Sequence, residues 1–185
     1  MGAIGWIVIG IIVVVVLFVI TLYNRLVSLR NQTQNGWRQI DVQLKRRHDL
    51  IPNLVEVVKD AMSYEADTLK AVIAARNSAV AAQGPAQVSA AETALSGAVT
   101  KLFALMENYP QLRANENVKQ LQEELTATEN KIAFARQFYN DSVMSLNNAV
   151  QSFPSNLIAG NFGFTPGQYL EVPPTETAVP KVDLR

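Results

Sequence analysis

The chain lacks cysteine altogether and has one histidine, His48, among its 185 residues. Without cysteine there is no disulfide, no thiolate metal site and no lipid-modified cysteine anchor, and the composition fits a reducing compartment. Protein metal sites usually combine two or more His, Cys or carboxylate ligands at helical spacing. A lone histidine beside the cations Arg46 and Arg47 therefore predicts no metal site, and we expect His48 to lie at the surface or between helices.

Charge is missing from the first part of the chain. Residues 1–24 carry no charged side chain, and Arg25 is the first. A helix rises about 1.5 Å per residue, so residues 2–23 span roughly 33 Å, which matches a hydrocarbon core of about 30 Å. A signal peptide would have a charged start and a shorter apolar core, a strand would be shorter, and so long an apolar run is rarely a core helix. We therefore predict a transmembrane helix over residues 1–23, in contact with membrane lipid.

The cations near this apolar run all lie on its C-terminal side, at Arg25, Arg30 and Arg38. Lys and Arg side chains close to a membrane span resist translocation and hold their side of the span in the cytoplasm. We therefore expect a single-pass protein whose N-terminus is outside and whose residues 24–185 are cytoplasmic.

Residues 24–185 are long enough to form one domain. The formal charges of the chain balance at 16 against 16, but residues 25–49 hold six cations and two anions, whereas residues 50–185 hold ten cations and fourteen anions. A nucleic-acid-binding protein normally concentrates positive charge on its folded domain. The acidic excess in the larger part of the chain therefore argues against nucleic acid as a partner.

A helical period of apolar residues continues beyond the predicted span. The side chains on this face of residues 24–83 recur at spacings of three, four or their sums; they are Leu26, Leu29, Thr33, Trp37, Ile40, Leu44, Ile51, Leu54, Val58, Met62, Leu69 and Val72. Pro52 interrupts the run, because proline lacks a backbone N–H and clashes with the carbonyl one turn earlier. We predict one long helix over residues 24–83, kinked at Pro52. The alternative is a full break, with Asp49 capping a new helix that has Pro52 in its first turn.

Two further helices and an irregular tail follow. Gly84 and Pro85 end the first helix, and apolar spacing predicts helices over residues 86–108 and 115–153. The two predicted stripes are Ala91, Leu95, Ala98, Leu102, Leu105 and Tyr109, and Val118, Leu121, Leu125, Thr128, Ile132, Ala135, Tyr139, Val143, Leu146, Val150 and Phe153. Residues 154–185 are rich in proline and glycine and are predicted to be irregular. The predicted fold class is all-α, with a transmembrane helix continuing into a long antiparallel bundle of three main helices over residues 24–153.

A group of carboxylates on the third predicted helix is the first cluster that could carry chemistry. Glu123, Glu124 and Glu129 lie at spacings that turn them toward different sides of a helix, and no Glu-x-x-His motif accompanies them. A carboxylate metal site is therefore disfavoured. We expect these residues to form ion pairs, with Arg46 or Arg47 as the candidates, and contact with a partner is the alternative.

Two other segments were considered as binding sites, and neither has the features of one. Lys45–Arg47 would lie roughly 34 Å beyond the span on a continuous helix, several times the Debye length of about 8 Å, so these cations are too far away to bind lipid. Gly160–Phe164 follows no strand and contains no lysine, so it is not a phosphate-binding loop. It predicts either a turn that buries Phe162 and Phe164 or an exposed docking patch. We predict no catalytic, cofactor-binding or metal-binding residue.

Four separated sequence blocks resemble the LemA family and occur in the family's order. They are QIDVQLKRRHDLIPNLVEVVK at residues 39–59, LFALMENYPQLRAN at 102–115, QLQEELTATENKIAFARQFYNDSV at 120–143 and FPSNLIAGNFGF at 153–164. The N-terminal span, with IGWI at residues 4–7, is similar as well. The resemblance implies a single-pass protein of the bacterial plasma (inner) membrane with a helical cytoplasmic region and no established enzymatic activity.

The residues and the resemblance together predict a non-enzymatic scaffold, adaptor or assembly protein at the cytoplasmic face of the membrane, with other membrane proteins as candidate partners. The alternative is a self-assembling homo-oligomer that organises or shapes the bilayer. We expect self-association, because Gly2, Gly5 and Gly10 allow close approach of spans. The short second helix also cannot cover the whole first stripe, so the part around Leu29, Trp37, Ile40 and Leu44 stays exposed unless the third helix or another copy covers it. An enzyme or enzyme subunit is least expected, since polar catalytic side chains do not cluster.

Overall fold

The computed structural model describes residues 2–171 of the chain, and these residues form helices and no strand. The α-helices are α1 (Ala3–Val58), α2 (Ala66–Ala81), α3 (Gly84–Met106), α4 (Pro110–Arg113), α5 (Glu116–Gln151) and α6 (Ser155–Phe162), with a 3-10 turn at Ser63–Glu65. The predicted all-α class is confirmed.

The first part of α1 is apolar and exposed. Its most apolar stretch contains no buried side chain, and Trp6, Ile7 and Val14 are 68%, 62% and 66% exposed. The core helix of a soluble protein would be mostly buried, because a row of large apolar side chains in water is unfavourable. In the part of the chain that the structure describes, α1 is the one helix long and apolar enough to cross a membrane, as the charge-free run predicts.

α1 ends at Val58, so the predicted helix over residues 24–83 is wrong in its second half. A turn over residues 59–65 separates α1 from α2, and it contains Asp60, Ser63 and Tyr64, whose helix propensity is weaker than that of Ala or Leu. The apolar period nevertheless carries through the turn, because Met62 and Leu69 pack in the same core as Val58. Spacing alone therefore concealed the break.

Pro52 lies inside α1 and does not end it, so the alternative helix start capped by Asp49 is wrong. Proline cannot donate the backbone N–H that would bond to the carbonyl of His48 four residues earlier. The side chain of Arg76 on α2 supplies a donor instead, with its Nε 3.1 Å from that carbonyl oxygen. A donor from another helix thus satisfies the backbone group that the proline leaves open.

The helices α3 and α5 lie within two residues of the predicted bounds at each end, and the structure adds the short α4 between them. The predicted stripe of α5 is buried or half-buried along the whole helix, with Ile132 and Val143 fully buried. Phe153 is the exception, because it lies beyond the end of α5 and is 79% exposed. Its assignment to the core was wrong.

Residues 155–162 form α6, which corrects the prediction that the chain is irregular from residue 154 onward. This segment contains no proline, and the hydroxyl of Ser155 donates to the carbonyl of Ser152 at 2.9 Å. Gly163 ends the helix in the left-handed conformation at φ +71°, which glycine adopts without a steric penalty. Residues 163–171 are not helical, and the remainder of the predicted tail, residues 172–185, lies outside the described residues.

The chain divides into two compact units, and α1 and α5 contribute residues to both. Unit 1 comprises Met1–Arg38 and Arg136–Tyr169, and unit 2 comprises Gln39–Ala135 and Leu170–Arg185. The core of unit 1 contains Leu26, Ala149, Ala159 and Phe164. The larger core of unit 2 contains Ile51, Leu54, Val58, Met62, Leu69, Val72, Ala79, Leu95, Val99, Leu102, Met106, Leu112, Val118 and Leu125.

Candidate functional site

A buried network of charged side chains joins α1, α3 and α5 within unit 2. Glu92 of α3 is 1% exposed, and its two carboxylate oxygens lie 3.1 Å from Nη1 of Arg47 and 2.6 Å from Nε2 of His48. Arg47 Nη1 is also 2.9 Å from the carboxylate of Glu129 on α5, and Arg47 Nη2 donates to the hydroxyl of Ser96 at 2.8 Å. Glu129 lies at the edge of this network, with its side chain 39% exposed, whereas the side chains of Arg47 and Glu92 are 4% and 1% exposed. Because a buried charge is costly unless it is paired, Arg47 and Glu92 are stable in the core only together.

Helical spacing explains why Glu92 is buried. It lies four residues after Val88 and three before Leu95, and both of these are buried on the same face of α3. The sequence-based stripe of this helix was rotated by about one residue, because Ala91 and Ala98 are only half-buried. Glu92 was therefore not predicted as a site residue, although its helical spacing from Val88 and Leu95 is the sequence signal that indicates a buried carboxylate.

The predicted ion pairs between α1 and α5 are confirmed within unit 2. Arg47 pairs with Glu129 as described, and Arg46 Nη2 lies 3.6 Å from the carboxylate of Glu124. The second pair is open to solvent, with side chains that are 54% and 35% exposed. Glu123 is exposed. Glu129 therefore pairs with a buried arginine, whereas Glu124, exposed to a similar degree, pairs with an exposed one.

His48 was expected either at the surface or between helices, and it lies between helices. The residue is 8% exposed, which rules out the surface alternative. Its ring is held by Glu92, and its backbone carbonyl accepts from Arg76. Within residues 2–171 no group of three His, Asp or Glu side chains is arranged to hold a metal ion.

A cleft of about 290 Å³ opens beside the network within unit 2. Its walls include Arg47, Ser96, Phe103, Glu129 and Asn130. The Arg47 side chain is only 4% exposed, and its terminal nitrogens already contact Glu92, Glu129 and Ser96. The charge next to this cleft is thus used to hold helices together.

The Gly160–Phe164 segment was predicted either to bury Phe162 and Phe164 or to expose them as a docking patch, and the structure shows one ring in each state. Phe164 is buried in the core of unit 1, whereas Phe162 is 57% exposed. Both rings contact Tyr23 edge-on, with centroid distances of 5.0 Å for Phe162 and 5.7 Å for Phe164. The guanidinium of Arg30 lies 5.0 Å from the Phe164 ring centroid, which is the geometry of a cation–π contact.

A second aromatic contact in unit 1 lies next to Gly36. Trp37 packs against Tyr139 of α5 with ring centroids 5.4 Å apart, and the Tyr139 hydroxyl donates to the carbonyl of Gln168 at 2.8 Å. Burial raises the pKa of the Tyr139 phenol, so the hydroxyl keeps the proton that it donates. A Cβ atom on Gly36 would come within 3.1 Å of Tyr139 Cα, so α1 and α5 approach each other closely here.

The apolar stripe that was expected to need a second copy is covered within the chain. Ile40 and Leu44 are 0% and 6% exposed, and Leu29 and Trp37 are half-buried. The reason given for self-association from this stripe was therefore wrong. Self-association itself stays a prediction.

Comparison with known proteins gives these features a family context. Residues 36–184 match the sequence model of the LemA family. The chain belongs to the LemA family. It is similar to magnetosome protein MamQ 2 of Paramagnetospirillum magneticum, with 24% identity over 86% of this chain and 70% of the relative. It is also similar to magnetosome protein MamQ of Magnetospirillum gryphiswaldense, with 22% identity over 86% of this chain and 69% of the relative.

The LemA-family match contains the whole charged network, from Arg47 to Glu129, and begins after the apolar run. The membrane span of this LemA-family chain is therefore supported by its own composition and by the exposure of α1, independently of the family match. The four sequence blocks that resemble the family begin at residue 39 or later and lie inside the matched range. The predicted family membership is confirmed.

Proposed function

We propose that this LemA-family protein is a non-enzymatic scaffold or adaptor, anchored in the bacterial plasma membrane with residues 24–185 on the cytoplasmic face. The observation that carries the proposal is the continuity of α1. The same helix begins with the exposed apolar run and then supplies Leu26 to the core of unit 1 and Ile51 to the core of unit 2. An anchor that is also part of the folded core suits a protein that holds partners at a membrane surface.

The use of the buried charges supports a structural role over a catalytic one. Arg47 and His48 both contact Glu92 between helices, and a catalytic group needs access to a substrate. The meeting of α1, α3 and α5 at Arg47 also supports the predicted antiparallel bundle of three helices. The relatives are named for the magnetosome and not for a reaction.

The proposed topology predicts the result of reporter fusions. A reporter placed after Arg185 that works only in the cytoplasm is expected to be active, because Arg25, Arg30 and Arg38 hold that side of the span inside. A reporter that works only outside the plasma membrane should be silent at the same position. Changing the three arginines to Gln and adding Lys next to Gly2 should invert or mix the orientation. Activity of the outside reporter in the unmodified protein would contradict the cytoplasmic placement.

The scaffold role predicts the composition of the purified particle. The full chain, extracted from its native membrane in a mild detergent, is expected to carry a second protein species at constant stoichiometry, measured by native mass spectrometry. The matched control is residues 1–23 joined to an unrelated soluble domain, which should lose that species. A particle that contains only copies of this chain would contradict the adaptor role and favour the membrane-organising homo-oligomer. A lone monomer would contradict both.

A further inference from the structure

A long charge-free segment lies in the C-terminal part of unit 1. Residues 142–170 contain no Asp, Glu, Lys, Arg or His, and this run includes the end of α5 and the whole of α6. The surface of a soluble protein normally carries charged side chains of both signs, interspersed among the others. The segment therefore has a composition that suits an environment other than open water.

The contact with Tyr23 locates this segment relative to the span. Tyr23 is the last residue of the predicted transmembrane helix, and Arg25 begins the charged part of α1. Phe162, at the end of α6, lies edge-on against Tyr23 at a centroid distance of 5.0 Å. Tyrosine rings at the end of a span favour the headgroup region, where an apolar ring meets water. The end of α6 is thus held at the level where α1 leaves the hydrocarbon.

Three large apolar side chains of this segment are exposed. Phe153 is 79% exposed, and Leu157 and Phe162 are each 57% exposed. The exposed polar residues between them, Asn156 and Asn161, are uncharged. Ala159 is buried in the core of unit 1, and Phe162, about 60° away around the helix, contacts Tyr23 on the same side. The free side of α6 exposes Leu157 together with Asn156 and Asn161, and Phe153 is exposed just before the helix.

We propose that Phe153 and α6 form an interfacial surface that inserts its exposed apolar side chains into the same bilayer that α1 crosses. The depth is that of the headgroups and the adjoining acyl chains, where amphipathic helices without a span also bind. Arg25 is exposed two residues beyond Tyr23 and lies at the right level to meet anionic phosphates of the lipid. The inference rests on the proposed membrane anchor, and it adds a second lipid contact that fixes unit 1 against the membrane surface.

The absence of native cysteine makes a direct test possible, because each single-cysteine variant carries one spin label. The full chain is reconstituted in vesicles of phosphatidylcholine and phosphatidylglycerol, with a nitroxide at Phe153→Cys, Leu157→Cys, Ile9→Cys or Gln137→Cys. Collision with oxygen, which concentrates in lipid, is compared with collision with a water-soluble nickel complex by power saturation. Gln137 is an exposed residue of α5 in unit 1 and serves as the aqueous control. The far-ultraviolet circular dichroism of each variant is matched to the unmodified chain.

The expected result is that oxygen collisions exceed nickel collisions at residues 9, 153 and 157, and that nickel collisions exceed oxygen collisions at residue 137. Labels in lipid at residue 9 but in water at 153 and 157 would overturn the interfacial surface and leave the anchor intact. Labels in water at residue 9 would overturn the anchor itself. Labels at 153 and 157 that neither reagent reaches would show that protein covers the surface, which would also overturn the proposal.

Discussion

Replacing Glu92 with Ala is expected to lower the free energy of unfolding by about 3 kcal/mol, the lower end of the range for breaking a buried ion pair, because Arg47 loses its buried partner and keeps only the partly exposed Glu129 as an ionic partner. In this protein two partners lose the same carboxylate, since Arg47 and His48 both contact Glu92. The loss should appear as a lower urea midpoint for the full chain in mild detergent, followed by far-ultraviolet circular dichroism. It is the largest effect that we expect from a single polar substitution in unit 2.

Two further variants separate the buried network from ordinary ion pairing. Glu124→Ala removes the carboxylate of the exposed pair with Arg46, and we expect it to cost about 1 kcal/mol or less, as exposed pairs do. Combining Glu92→Leu with Arg47→Met and His48→Leu should recover most of the stability lost in Glu92→Ala, because apolar residues of similar volume often replace buried ion pairs without loss. Equal, small losses for Glu92→Ala and Glu124→Ala would contradict the assigned role of Glu92.

Replacing Gly36 with Ala is expected to destabilise unit 1, although alanine is the better helix former. The added methyl carbon would lie 3.1 Å from Tyr139 Cα, and the backbone of α5 cannot move aside there without disturbing the Trp37 contact and the Tyr139 hydrogen bond. Overpacking costs about 1–3 kcal/mol, and the gain in helix propensity over glycine is about 1 kcal/mol. We expect a net loss, measured as a lower unfolding midpoint of the full chain.

Gly97→Ala is the matched control for this substitution. Gly97 is an exposed residue inside α3, and a Cβ atom built there has nothing within 4 Å. Only the propensity term applies, so this variant should be more stable than the unmodified chain by up to about 1 kcal/mol. The two substitutions are chemically identical and should have opposite signs. An increase in stability for both would show that α1 and α5 are not closely packed at Gly36.

The buried face of α5 and its ion pairs were predicted correctly from sequence patterns, and the position of Phe153 was not. The buried stripe of α5 could be predicted residue by residue, because a single helix repeats its buried face every three or four positions. The pairing of Arg46 and Arg47 with Glu124 and Glu129 was also predictable, since basic and acidic side chains on neighbouring helices attract one another. Phe153 was misassigned because the same spacing continued past the residue at which the helix ends.

The sequence by itself determined the apolar run long enough to cross a membrane, the all-α class and the family, because each depends on composition, on local periodicity or on the order of residues along one segment. Only the tertiary structure decided that Glu92 is buried, that α1 continues through Pro52, and that Phe164 is buried while Phe162 is exposed. Each of these depends on a group distant in sequence, such as Arg47 for Glu92, Arg76 for the carbonyl of His48, and Tyr23 for the two phenylalanines. A buried charge or an open carbonyl is satisfied by whatever group the fold brings near, and a pattern within one helix does not contain that group.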